Sequence, residues 1–393
     1  VRTASSLLAP AASRVGGMLA RMAVAGIGQS LSRTGVAIVA LAVAVSATIG
    51  VSVMVDSFRG SVDKWLQQTL QADVYAGVQR GSLDPALLAD IAALDGVEAF
   101  STSRRVQLED AGGRTQLIAI RMAPGSYAGT EIIDSDPDAV WPRWEQEDVV
   151  LVSEPYAYQH GVAAGDVVQL PTDRGARAFE IAAVYQSYDI NASAMLMSRG
   201  VYDRHFDDDG VDSIGLYLAD DADPEAIMAR VGELSEGRQE IRFNSNARIR
   251  ELSLEIFDRT FIITDVLYWL AVGVAFIGIL GAMLALQLER GRELAVLRAV
   301  GMTPSQLGTM ITTQTAVIGL LSGIAAVPLG IMMAYVLIEV INRRAFGWQI
   351  DMTIAPGILV SAIAFAIGAA MLAGIYTACR AARIQPAAAM REE

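Results

Sequence analysis

Few side chains in these 393 residues carry the chemistry of an active site. His160 and His205 are the only histidines and stand far apart in sequence. Cys379, the one cysteine, closes an apolar run, so no disulfide can form within the chain and packing is its expected role. Lys64 is the only lysine. A phosphate-binding P-loop needs a lysine after a glycine-rich turn, and Gly60-Ser61-Val62-Asp63-Lys64 is not one. No H-E-x-x-H or C-x-x-C occurs. Asp207-Asp208-Asp209 lacks the spacing of an EF-hand loop and reads as a solvated acidic turn. Asp134, Asp136 and Asp138 alternate, but Pro137 points to a loop. Trp141 and Trp144 flank Pro142 and are expected to pack in a core or an interface. The chain is therefore read as a non-enzyme, with no catalytic residue, metal or cofactor of its own.

A second kind of chemistry, docking, is written in Glu289 to Pro304. Leu294, Leu297 and Val300 fall at helical spacing and give one apolar side. Charges gather at the start, and Arg298 sits in the last turn, where a cation suits the helix dipole. Gly301 suits the left-handed C′ position that ends a helix. Thr303, Pro304 and Gln306 then read as N-cap, N1 and N3 of a capping box that starts the next helix. An ordinary charged loop is the plainer alternative. The sharper reading is an external helix that docks a cytoplasmic partner.

The run LERGRELAVLRAVGMTPSQL resembles the signature of the FtsX-like permease domain of ABC transporters, the group with MacB-type exporters and lipoprotein-releasing permeases. The resemblance implies that Glu289 to Gly301 is a coupling helix seated in a separate ATPase subunit. Glu289, Arg290, Arg292, Glu293, Leu297, Arg298, Gly301 and Pro304 are the residues assigned to that contact. It further implies an ATPase dimer that binds the ATP and Mg, and a second permease copy or repeat beside this chain.

The elements that would position this helix are membrane spans. Mean hydropathy is +0.39 although the net charge is −13. The contradiction resolves by position: residues 57–261 hold 35 of the 43 acidic residues and 18 of the 30 basic ones. An acidic block of this kind offers no basic face for nucleic acid. Val266 to Leu288 is uncharged over about 23 residues and Thr34 to Val55 over about 22, each enough to cross a bilayer. The expected division is an interfacial amphipathic elbow at 1–33, a first span at 34–56, an extracytoplasmic α+β domain at 57–261, and a permease domain at 262–393. The last holds spans at about 262–288, 304–341 and 354–379, the coupling helix at 289–301, and a cytoplasmic tail. The fold class is thus a four-helix membrane bundle plus a large α+β domain.

Several details refine this frame. Ala42, Ser46 and Gly50 repeat every four residues, a small-residue face for helix packing. Gly319 and Gly323 form a G-x-x-x-G pair and Pro328 is expected to kink its helix, so these three are packing or hinge candidates. Helical spacing runs unbroken from Asn246 into the second span, which predicts a stiff stalk. In the acidic block, Asp84-Pro85 and Asp223-Pro224 read as capped helix starts. Strands are expected at 72–76, 96–108, 115–122, 148–152, 166–170, 179–185, 213–218 and 240–243. This order is similar to the MacB-type periplasmic core domain, most closely in VLVSEPYAYQHGVAAGDVVQLP.

Arginine bias places the elbow, the coupling segment and the tail, Arg380 to Arg391, in the cytoplasm, and both termini with them. The expected site is the bacterial inner membrane. Residue 1 is valine, and Leu7-Leu8-Ala9-Pro10 resembles a linker of ten-span relatives. Either the start codon is read literally or more chain precedes it, and the second half of a longer permease is the preferred reading. The expected function is the permease subunit of an ABC transporter that exports or extracts lipid, lipoprotein, peptide or drug-like cargo, with a periplasmic protein as a further partner. The alternative is a transmembrane signal transmitter that activates a cell-wall enzyme and moves no cargo.

Overall fold

The structure, a computed structural model, describes residues 31–110, 113–188, 193–289, 296 and 298–382. Residues 1–30 of the elbow expected at 1–33, and the tail beyond Ala382, lie outside the described residues. The chain divides into a helical unit (Val1–Ser57, Thr260–Val340 and Asp351–Glu393) and a sheet-bearing unit (Phe58–Arg259 with Ile341–Ile350).

In chain order the helices are α1 (Leu31–Thr69), α2 (Pro85–Ala92), α3 (Pro137–Gln146), α4 (Glu154–His160), α5 (Arg199–His205) and α6 (Pro224–Ser235). They continue with α7 (Asn246–Glu289), α8 (Pro304–Tyr335), α9 (Arg343–Phe346) and α10 (Pro356–Ala382). Among the described residues three stretches are long and apolar enough to cross a membrane: Ile38–Thr69, Pro304–Phe346 and Pro356–Cys379. The fourth expected span falls in α7, a single helix of 44 residues, as the unbroken spacing predicts. α1 runs past residue 56 to Thr69, with Arg59 and Asp63 paired along α7, while the two units divide at Ser57/Phe58.

In the helical unit, small residues let backbones approach. Leu41, Val45, Ile49 and Val53 of α1 share a buried core with Ile318 and Ala326 of α8 and Ala366 and Ala370 of α10. A Cβ on Gly330 would lie 2.6 Å from that of Ile49 and 3.1 Å from the carbonyl of Ser46, so the small-residue face of α1 serves packing. α8 and α10 run antiparallel. A Cβ on Gly319 would fall 2.7 Å from the Ala366 carbonyl, and one on Gly323 3.2 Å from Ile363 Cα. At Gly374 it would fall 2.1 Å from Thr315 Oγ1. The helix continues through Pro328. Its departure from α geometry comes later, in a π-helical turn at Val336–Asn342.

In the sheet-bearing unit, nine described strands form one mixed sheet. They are β1 (Val74–Gly77), β2 (Val97–Asp110), β3 (Gly113–Arg121), β4 (Val149–Ser153), β5 (Val167–Thr172), β6 (Gly175–Tyr185), β7 (Ala194–Ser198), β8 (Ser213–Leu218) and β9 (Arg242–Ser245). Their order is β5-β6-β4-β7-β3-β2-β8-β1-β9, parallel only at β3/β7 and β4/β6. α2 and α6 cover the β1/β8 end over a core of Leu87, Ile91, Ile214, Leu216 and Val231. The other end encloses Leu117, Val152, Leu170, Phe179 and Tyr202. The eight expected strands are present, and the Asp84 and Asp223 side chains cap α2 and α6 as their Asp-Pro pairs predict.

Two corrections stand here. Pro137 does not mark a loop: Asp136 accepts from Asp138 N as an N-cap, and Pro137 opens α3, where a missing N–H costs nothing. Asp208 is not merely solvated. It accepts from Arg104 Nε at 2.7 Å, Tyr202 Oη at 3.1 Å and Gly210 N at 3.0 Å, and so pins its turn to β2 and α5.

Candidate coupling site

The segment before α8 ends as its residues dictate. Residues 296, 298 and 299 are helical. Val300 N donates to Val296 O at 3.0 Å and Gly301 N to Arg298 O at 3.2 Å. Gly301 then turns at φ +111°, open to glycine and strained for other residues. Thr303 N donates to Gln306 Oε1 at 3.0 Å, and Gln306 N returns a bond to Thr303 Oγ1 at 3.3 Å, the reciprocal pair of a capping box. Pro304 takes N1. Leu307 and Ile311 bury against Ala378 of α10, with Met302 and Met310 alongside, which seats the turn on the bundle.

This seating leaves apolar surface uncovered. Val300 is 81% exposed and Val296 49%. Glu289 is the last residue of α7. Arg290, Arg292, Glu293 and Leu297 lie outside the described residues, while Arg298, Gly301 and Pro304 flank the turn. Gly319, Gly323 and Pro328 lie further along α8, away from this turn, and the two glycines face α10.

The sheet-bearing unit ties its two long helices together. Arg59 Nε lies 2.8 Å from Asp258 Oδ1, and Arg250 Nε 2.8 Å from Asp63 Oδ1. At their ends, Asn246 Nδ2 donates to Leu70 O at 2.6 Å and to Ala72 O at 3.2 Å. Sequence reasoning found α7 as a stalk and missed α1 as its mate. The signal was available: Arg59 and Asp63 recur at helical spacing, opposite in charge to Asp258 and Arg250.

The remaining reactive side chains are absorbed structurally. His160 Nδ1 lies 2.9 Å from Tyr156 O, and its ring stacks on Tyr156. His205 is buried with Nε2 2.9 Å from Asp148 Oδ2. Burial works to raise the Asp148 carboxyl, but hydrogen bonds from Arg204 and His205 outweigh it and hold the carboxyl below its usual range. Trp144 is fully buried and donates Nε1 to Leu196 O at 3.2 Å, with Trp141 edge-on to it. Among the described residues no group of three or more His, Cys, Asp or Glu side chains could hold a metal.

Two family profiles cover this architecture. The MacB-like periplasmic core domain matches residues 34–234, and the FtsX-like permease C-terminal domain matches residues 266–386. The chain belongs to the FtsX-like, MacB-type family of ABC transporter permeases. This permease is 37% identical over 98% of its length to an uncharacterized ABC transporter permease protein of Mycobacterium tuberculosis, of which it covers 46%. It is 32% identical over 30% of its length to a macrolide export ATP-binding/permease protein MacB of Hyphomonas neptunium, covering 17% of that protein. The chain thus spans less than half the length of these curated relatives. The crystal structure of the periplasmic region of MacB from Actinobacillus actinomycetemcomitans aligns at a TM-score of 0.35 and 11% identity, covering 48% of this chain and 94% of that one.

Proposed function

We propose that this chain is the membrane subunit through which a separate ABC ATPase drives an extracytoplasmic domain, for export or extraction of a lipid, lipoprotein, peptide or drug-like cargo. The observation that carries the reading is the uncovered apolar surface at Val296 and Val300, on a helix stop held firmly by Gly301 and the Thr303 capping box. A protein partner covers the two valines in this reading. In this reading Glu289, Arg290, Arg292, Glu293, Leu297 and Arg298 meet the ATPase dimer, which binds the ATP and Mg. Pro304 and the cap transmit its motion to α8. The chain works beside a second permease copy or repeat, in a bacterial inner membrane, as a four-span subunit with both termini and the coupling turn in the cytoplasm and the acidic domain outside. The paired helices α1 and α7 are the lever. The test replaces Glu293 with Arg and Leu297 with Trp. The ATPase is expected to co-purify with the wild-type chain, and ATP hydrolysis is expected to continue in the variants without cargo movement. Variants that kept both full activity and ATPase binding would end the assignment.

A further inference from the structure

The connection between α8 and α10 is gripped as firmly as a core element. Residues Ile341–Ile350 belong to the sheet-bearing unit, although the spans on either side do not. Gln349 is held through both faces of its backbone. Its N–H donates to Glu154 Oε2 at 3.1 Å, and its carbonyl accepts from Tyr188 Oη at 2.8 Å. Gln186 Nε2 in turn donates to Tyr188 Oη at 3.0 Å, which fixes the phenol. Trp348 is buried, stacked on Phe346 with centroids 5.1 Å apart, edge-on to Tyr188 at 5.8 Å and 6.0 Å from Phe58. Phe58 also meets Phe257 of α7 edge-on at 5.0 Å. Asn342 Nδ2 donates to Trp348 O at 3.2 Å and closes the connection on itself. Gly347 turns at φ +83° where a Cβ would lie 2.9 Å from Pro155 Cα.

A short link between two spans needs none of these contacts; surface links are as a rule mobile and polar. Here a tryptophan and both backbone groups of its neighbour are tied to β-domain side chains more than 150 residues away in sequence. Just past the connection, within the helical unit, Ser57 Oγ donates to Thr353 O at 3.1 Å and accepts from Thr353 N at 3.0 Å. On the other side, the π-helical turn Val336–Asn342 lies across the boundary at Val340/Ile341. Such turns are a looser helical geometry that recurs at working positions.

We propose that Ile341–Ile350 is a permanent foothold of the outer domain, with Tyr188, Glu154 and Trp348 as positioning residues. α8 and α10 are then coupled to that domain as directly as α1 and α7, and Val336–Asn342 is the compliant joint that lets α8 tilt without tearing the foothold loose. The proposal rests on the permease reading for its purpose; its test on the isolated chain does not.

Hydrogen exchange of the 341–350 segment is followed in the full-length chain in lipid nanodiscs, alone and with its ATPase in the nucleotide-free and ATP–vanadate states. The expected result is slow exchange in every state, accelerated at least tenfold at Gln349 by Tyr188→Ala and by Glu154→Ala. Fast exchange in the wild-type chain alone, or protection lost in one nucleotide state, would overturn the foothold. Failure of the ATPase to co-purify would strike the permease reading and leave the exchange result on the isolated chain standing.

Discussion

Arg250 holds Asp63 with two nitrogens, Nε to Oδ1 at 2.8 Å and Nη2 to Oδ2 at 3.1 Å, across 187 residues of sequence. Arg59 and Asp258 repeat the arrangement further along the same two helices. Both pairs are largely exposed and screened by solvent, so neither is strong on its own. Their value lies in register: they lock α1 against α7 so that neither slides. Asp63→Arg or Arg250→Asp alone is expected to leave the fold intact and reduce ATP-driven activity several-fold. The double exchange is expected to restore most of it. Equal activity in all four proteins would show that register along these helices does not matter.

The Thr303 cap is expected to matter for stability before it matters for binding. Thr303→Ala leaves Gln306 N without its acceptor and should cost about 1 kcal/mol, while Thr303→Ser should cost little. Thermal unfolding in detergent separates the two substitutions.

The contact between α8 and α10 tolerates no added carbon. Gly319→Ala would place a methyl 2.7 Å from the Ala366 carbonyl and 2.8 Å from Ala370 Cβ, with backbone on one side. The expected cost is about 1–3 kcal/mol. Gly368→Ala, on α10 with nothing within 4 Å, is the control and should stabilise by about 0.5–1 kcal/mol. A control that unfolds as readily as Gly319→Ala would refute the packing account.

Asp208 gives the sheet-bearing domain an acid limit. Burial disfavours its charge, but Gly210 N–H, Arg104 and Tyr202 together hold the carboxyl below the usual aspartate range. The unfolded chain therefore binds the proton more readily than the folded one as pH falls. The stabilisation is complete above the ordinary aspartate range and disappears as pH drops through the lower native value. Asp208→Asn is expected to cost about 1–2 kcal/mol at pH 7. The gap between variant and wild type should close toward pH 2, as denaturant titrations at a series of pH values would record.

Local rules made much of this molecule legible. Asp84-Pro85 and Asp223-Pro224 announced their helices because cap and N1 proline act within one turn. Asp136-Pro137 carried the same signal, but a proline among alternating aspartates reads as readily as a loop marker. β7, AMLMS, went unseen because it is buried throughout without alternation and, unlike the valine-rich β4, has no β-branched residue. Polar residues past Val55 hid the second half of α1, since a helix stabilised by a mate reads as hydrophilic until the mate is known. At the coupling turn, Gly301, Thr303 and Gln306 were readable for the same local reason as the caps. The hold of Tyr188 on Gln349 was not, because those residues are 161 positions apart and neither has a neighbour that hints at the other.

Thr315 and Gly374 meet with no room for a single extra carbon between their helices. A seam that tight encloses no bore. On the proposed reading, a cargo has no tunnel between these two helices to pass through.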